Sequence, residues 1–143
     1  MTARECRIFV YGTLREGEPR HALLAGAPLV QLTTTAPEFN LVDLGPYPAL
    51  VRGGTTAVTG ELYQVSLEVR RAIDVERQVP ILFSRESITL VDGTEAEAYL
   101  LRADQVRGRR RLATGDWRQR FARSRPPRAG GAWAEWSRAR WNK

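Results

Sequence analysis

The chain has 143 residues, 43% of them hydrophobic, which is enough for the buried core of one domain. Its single cysteine, Cys6, excludes an internal disulfide, and no cluster of cysteines and histidines suggests a metal site. We find no signal-peptide pattern before the first predicted strand, and no apolar run approaches the ~20 residues of a membrane span. We therefore expect a cytoplasmic protein with neither a signal peptide nor a transmembrane segment.

The formal net charge of +6 is unevenly distributed along the chain. Residues 102–143 contain 13 basic and three acidic side chains, which leaves nine basic and 13 acidic side chains in residues 1–101. A strongly basic protein is a candidate for nucleic-acid binding. Here, however, the positive charge belongs to the C-terminal region and not to the domain as a whole.

The first predicted strand comes from an apolar, β-branched and aromatic run, Ile-Phe-Val-Tyr-Gly-Thr-Leu at residues 8–14, and ends at Gly12. A short helical pattern at residues 20–24 follows, so Gly12 and Thr13 should lie in a strand-to-helix loop. Glycine lets the backbone approach a ligand, and successive N–H groups can hold a carboxylate or an oxyanion. A glycine that only permits a tight turn is the alternative.

Most of the remaining segments predict short strands. Alternating or β-branched patterns indicate strands at residues 28–35, 39–44, 48–51 and 57–65, and a hairpin at residues 87–101 around Asp92 and Gly93. The arginine-rich run at residues 107–112 is interpreted as a solvated loop, and residues 115–121 as a turn and a short helix. Short strands at this spacing, with one helix between them, predict a small mixed barrel.

The helix is predicted over residues 67–77, with Ser66 as its N-cap. At 100° per residue, Glu76 falls in the middle of the apolar face that Val69 and Ile73 define. Loss of solvation on a buried face raises the pKa of a carboxylate toward the range that a general base needs at neutral pH. Equally, Glu76 could lie in solvent past the last turn or pair with a neighbouring arginine.

Four stretches, in order, resemble the γ-glutamylcyclotransferase-like family over about residues 5–120. They read Tyr-Gly-Thr-Leu at 11–14, Gly-Pro-Tyr-Pro-Ala-Leu-Val at 45–51, Gly-Glu-Leu-Tyr-Gln-Val at 60–65 and Gly-Asp-Trp-Arg at 115–118. The resemblance implies an α+β fold, a small mixed β-barrel with flanking helices and a cavity at one end. It also implies release of 5-oxoproline from a small γ-glutamyl amine or peptide, with no metal or cofactor.

The same resemblance assigns roles to particular residues. Backbone groups of Tyr11, Gly12, Thr13 and Leu14 would hold the substrate's carboxylate or the oxyanion, and Tyr99 would face the cavity. Glu76 would carry the proton from the attacking amine to the leaving nitrogen.

The acid of the family does not align cleanly with this chain. In catalytic members a glutamate follows the helix's aspartate by three positions; here the aspartate is Asp74, and the third position is Arg77. Either Glu76 serves one residue early, or the chain is a non-catalytic module that binds a small ligand or a protein. Should the acid lie elsewhere, Glu61 on the longest predicted strand is the next candidate.

We expect residues 1–121 to form the domain and residues 122–143 a basic tail. The tail interleaves arginines with Trp133, Trp136 and Trp141. Such a segment could stack on nucleic-acid bases or lie on an anionic membrane surface. Folding back onto its own domain is the alternative.

Overall fold

The computed structural model describes residues 5–121, so the predicted tail lies outside the described residues. Eight strands and one α-helix form in this range, and three short 3-10 turns lie at residues 21–24, 103–106 and 117–119. The bounds are β1 Glu5–Val10, β2 Leu29–Thr34, β3 Phe39–Asp43, β4 Pro48–Arg52, β5 Thr59–Ser66, α1 Leu67–Glu76, β6 Ser84–Thr89, β7 Glu95–Leu100 and β8 Arg110–Arg111. The predicted α+β class is confirmed, with one flanking α-helix.

All eight strands belong to one mixed sheet that curls into a half-barrel. The order is β2-β5-β1-β7-β4-β3-β8, and β6 pairs with β7 along its full length. The opposite edge of β7 is shared, because β1 pairs with it at Glu97 and β4 pairs with it at Leu100, both in parallel. The sheet therefore opens between β1 and β4.

The opening between β1 and β4 is bridged by the side chain of Tyr11, the residue after β1. Its hydroxyl donates a hydrogen bond to the Tyr99 carbonyl at 2.6 Å and accepts one from the Leu50 amide at 3.2 Å. One phenol thus supplies the contacts that a continuous ladder would make at this point. Buried and hydrogen-bonded, it fixes the direction in which the chain leaves the sheet.

The core lies on both faces of β1. Ile8 and Val10 pack into one buried cluster, while Phe9 and Tyr11 pack into another, because successive side chains of a strand point to opposite faces. A strand buried on both sides needs apolar residues at every position, which explains the unbroken run in the sequence. Trp117, fully buried, extends the second cluster to the end of the described chain.

The end of β1 and the arginine-rich run at residues 107–112 differ from the sequence prediction. β1 ends at Val10, two residues before Gly12, so Tyr11 already belongs to the connecting loop. The run predicted to be a solvated loop contains β8, whose two exposed arginines pair with β3 at the sheet edge. Because both side chains are charged and exposed, the sequence pattern gave no indication of a strand, although the backbone pairs with β3.

No helix in residues 5–121 is long and apolar enough to cross a membrane. Within the same range, no three histidine, cysteine, aspartate or glutamate side chains come together as ligands for a metal ion.

Candidate active site

A small cavity lies where β1 ends, at the opening of the sheet. Its volume is about 10 Å³, roughly what one water molecule requires. The lining combines the end of β1 and the following loop with residues from β4, β7 and the end of α1: Phe9, Val10, Tyr11, Gly12, Thr13, Leu14, Pro48, Arg77 and Tyr99. Residues 11–14, called the amide loop below, contribute four of the nine lining residues.

Three carbonyl groups of the amide loop are engaged by the protein. Gly12 O accepts from the Arg15 amide at 3.0 Å, Thr13 O accepts from the Arg20 amide at 2.8 Å, and Leu14 O lies 2.9 Å from His21 Nδ1. The last contact requires the tautomer with a proton on Nδ1. These three carbonyls, which would repel an anion, are thereby turned to protein donors.

The N–H groups of the same loop remain available. In the part of the chain that the structure describes, the amides of Gly12, Thr13 and Leu14 donate to no protein acceptor. Successive unpaired amides form a concavity that binds a carboxylate or a developing oxyanion. The loop therefore offers three unpaired hydrogen-bond donors beside the cavity.

Arg77, directly after α1, places its guanidinium in this cavity. Nη2 donates a 2.9 Å hydrogen bond to Thr13 Oγ1. The guanidinium carbon lies 5.8 Å from the ring centre of Tyr47 and 5.5 Å from that of Phe83, so two aromatic faces hold the cation in place. A positive charge therefore stands beside the free amides.

Glu76 does not line the cavity; it lies behind Arg77. Oε1 is 3.2 Å from Arg77 Nε and Oε2 is 3.5 Å from Arg20 Nε, with 23% of the side chain exposed. Oε1 is buried, yet it accepts no hydrogen bond because it lies off the N–H direction of Arg77. One guanidinium thus separates a carboxylate with an unused acceptor from the amide loop.

Tyr99 lines the cavity, but its hydroxyl turns to α1. It donates to Asp74 Oδ1 at 2.6 Å, and Arg85 forms an ion pair with the same carboxylate. Burial and the hydrogen bond to Asp74 raise the pKa of Tyr99 well above its ordinary value. The Asp74 side chain is therefore turned toward β6 and β7, from which Arg85 and Tyr99 bind it.

Burial also raises the pKa of the Tyr11 phenol, to about 12, although the nearby charge of Arg77 opposes the shift. Tyr11 therefore stays neutral at physiological pH and acts as a fixed bridge within the sheet. Tyr11 also lines the cavity, while its hydroxyl is engaged by Tyr99 and Leu50.

The structure brings together the amide loop and Tyr99, and it leaves Glu76 one layer away from them. Sequence reasoning missed Arg77 and Pro48 as lining residues. A signal for Arg77 exists in the sequence, because Arg77 follows Ile73 by four positions and so lies near it on the helix surface. Glu61 is buried away from the cavity and is bound to Arg15.

Residues 8–119 match the family model described as "Gamma-glutamyl cyclotransferase, AIG2-like". The chain belongs to this family. It is 39% identical over 113 residues to a putative γ-glutamylcyclotransferase of Vibrio cholerae, a match that covers 79% of this chain and 96% of that relative.

Solved structures of the same fold include an AIG2-like protein of Mus musculus, with a TM-score of 0.63 and 26% identity over 68% of this chain and 77% of that one. A uropathogenic E. coli-specific protein superposes with a TM-score of 0.73 over 85% of this chain and 99% of that one. Its identity of 24% supports the shared fold alone.

Proposed function

We propose that this chain closes the γ-glutamyl group of a small amine or peptide to 5-oxoproline and releases the amine. One observation carries the proposal: Gly12, Thr13 and Leu14, whose amides are unpaired within the described chain, line the same small cavity as Arg77. Directly behind Arg77 lies Glu76, with a buried oxygen that accepts no hydrogen bond. A γ-glutamyl group has a carboxylate, an ammonium and a carbonyl, and each finds a complementary group here.

Binding begins with an exchange of partners at Arg77. The cavity as it stands holds about one water, so the substrate enters only when the guanidinium leaves Thr13. The substrate's α-carboxylate then takes the guanidinium as a bidentate partner, a strong charge-assisted contact. The γ-carbonyl oxygen turns to the amides of Gly12, Thr13 and Leu14, where the oxyanion will form.

Glu76 supplies the proton transfer. Once Arg77 has moved to the substrate, Glu76 Oε1 accepts a proton from the α-ammonium, and the freed amine attacks the γ-carbonyl carbon to form the five-membered ring. Glu76 returns this proton to the leaving nitrogen as the bond from that nitrogen to the γ-carbon breaks and the oxyanion collapses to the ring carbonyl. The ring nitrogen then gives its second proton to the released amine, which leaves as an ammonium. Positioning provides much of the acceleration in such an intramolecular reaction, and the general base contributes a further ~10²–10⁴-fold.

The second candidate is a module that binds γ-glutamyl compounds without closing the ring. The lining of the cavity favours this candidate, because it contains the cation of Arg77 and, within the described chain, no carboxylate side chain. In this case the guanidinium and the free amides would hold the ligand's carboxylate, and the α-ammonium would keep its proton.

Calorimetry and mass spectrometry on the full chain separate these candidates. A panel of γ-glutamyl amines and γ-glutamyl peptides is tested for affinity and for release of 5-oxoproline. The enzyme predicts both binding and release for at least one compound, and the module predicts binding alone. Absence of both rejects the γ-glutamyl site.

The Arg77→Glu variant sharpens the distinction, because it places a carboxylate three positions after Asp74. If Glu76 is the working base, this variant loses the contact with the α-carboxylate and its rate of release falls. If the chain is a binding module, the new carboxylate can take the ammonium proton, and release appears where the wild type showed none.

A further inference from the structure

Buried charges meet at the exit of the amide loop, next to the cavity but outside its lining. Arg15, the first residue after the loop, is only 6% exposed, and Glu61 on β5 is only 2% exposed. Arg15 Nε donates to Glu61 Oε2 at 3.4 Å, and Arg15 Nη1 donates to Asp116 Oδ1 at 3.0 Å. Neither side chain lines the cavity.

Glu61 collects donors from several directions. Its Oε1 accepts from the Glu16 amide at 2.8 Å and from the Tyr63 hydroxyl at 2.8 Å. Its Oε2 faces Arg15, with Arg118 Nη2 at 3.8 Å. A carboxylate this deeply buried persists only when such partners replace its lost hydration.

The position of Glu61 in the sheet relates this cluster to the amide loop. On β5 it is the register partner of Val10, the last residue of β1, and it binds the backbone of Glu16 just past the loop. One side chain therefore lies beside the start of the loop and holds its end. The ring of Tyr63 also lies 5.7 Å from that of His21, the residue that contacts Leu14 O.

We infer that Glu61 is a positioning residue, which through Arg15, Glu16 and Tyr63 holds the amide loop with its N–H groups directed at the cavity. This inference rests on the proposed function for its kinetic consequence, but not for its geometric content. Without the carboxylate, the exit of the loop would lose its contacts through Arg15 Nε and the Glu16 amide, and the free amides could rotate out of line. Glu61 thus acts on the reaction through the loop, and not as an alternative acid.

The test is Glu61→Gln in the full chain, which keeps the shape and removes the charge. The matched control is Glu86→Gln, which removes a carboxylate paired with Arg52 at the surface. We expect folded Glu61→Gln to show shifted or broadened amide NMR signals at Gly12, Thr13 and Leu14, and kcat/KM lowered by ~10²-fold, the size that a misplacement of about 1 Å can cause. Glu86→Gln should show neither change.

Unchanged loop amides and unchanged kinetics in folded Glu61→Gln would overturn the inference, even if the variant melts at a lower temperature. Should Glu61→Gln fail to fold, Tyr63→Phe removes one of the hydrogen bonds to Oε1, and the inference then requires a smaller change at the same three amides; an unchanged spectrum overturns it. If wild type neither binds nor converts a γ-glutamyl compound, the proposed function fails, while the loop amides still decide the role of Glu61.

Discussion

Arg77 Nη2 donates a 2.9 Å hydrogen bond to Thr13 Oγ1, so the guanidinium occupies the space between the amide loop and Glu76. This contact explains why the cavity is only large enough for a water molecule, although its walls have the polarity of an anion site. It also makes Arg77 both the barrier that a ligand must move and the cation that the ligand's carboxylate meets.

Substitution of Arg77 should therefore affect binding more than chemistry. In Arg77→Gln we expect KM for a γ-glutamyl amine to rise by ~10–100-fold, because a hydrogen bond to a charged group contributes about 1.5–3 kcal/mol. Arg71→Gln, an exposed position on the same helix, is the control and should leave KM unchanged. An unaltered KM in Arg77→Gln would show that the carboxylate binds elsewhere.

Gly12 has no room for a side chain. A Cβ there would lie 2.5 Å from Pro48 Cγ and 2.6 Å from Pro48 Cδ, and this rigid ring cannot rotate away. The sequence analysis explained Gly12 by the space that a ligand needs. The structure gives a second reason, because Pro48 of β4 packs directly against Gly12. Gly12→Ala should lower the affinity for a γ-glutamyl compound by at least ~10-fold, since a shifted loop misdirects its amides.

Pro48→Ala provides the matched rescue. The double variant Gly12→Ala/Pro48→Ala relieves the contact and should recover most of the affinity that Gly12→Ala loses, relative to Pro48→Ala alone. Failure of the double variant to recover would indicate that the new methyl group acts on the ligand itself.

The buried phenol of Tyr11 makes stability depend on alkaline pH. In the unfolded chain it ionises near its ordinary pKa of 10, whereas in the folded chain its pKa is about 12. The contribution of the neutral Tyr11 phenol to the free energy of unfolding is complete below pH 10. It is lost as the pH rises to 12, at about 1.4 kcal/mol per pH unit. Urea unfolding at pH 10 and 11 should show a smaller fall in the free energy of unfolding for Tyr11→Phe than for wild type; equal falls would contradict the raised pKa.

Deletion of residues 123–143 should leave a folded domain, because the buried core of the described chain already extends to Trp117. Thermal melts of the full and shortened chains provide the comparison. A decrease of more than ~10 °C, on the order of 2–3 kcal/mol for a domain of this size, would mean that the tail contributes to the core.

The sequence was sufficient for every strand except β8, for the helix and for the location of the amide loop, since each depends on local patterns: apolar runs, a serine N-cap and a glycine at a strand end. It was insufficient for the order of charged groups around the cavity. A helical wheel places both Glu76 and Arg77 near the apolar face of α1. A difference of one residue at the end of the helix then decides which of the two side chains enters the cavity. That choice depends on Tyr47 and Phe83, which are brought to Arg77 by tertiary packing.

Glu61 illustrates a second limit of the sequence. As a carboxylate in the middle of a long strand it could be read as an acid for catalysis, and only its contacts show that its oxygen atoms are already engaged. The same applies to His21, which has no partner in the sequence but faces the Leu14 carbonyl in the fold. Long-range hydrogen bonds determine both roles.

The most direct test of the proposed chemistry is the rate of 5-oxoproline release by Glu76→Gln under saturating substrate. Glu68→Gln, an exposed carboxylate in the first turn of the same helix, is its control. We predict that kcat falls by ~10²–10⁴-fold in Glu76→Gln, with ligand affinity retained and Glu68→Gln unaffected. Release at the wild-type rate by Glu76→Gln would contradict the account, because the proton would then have another acceptor.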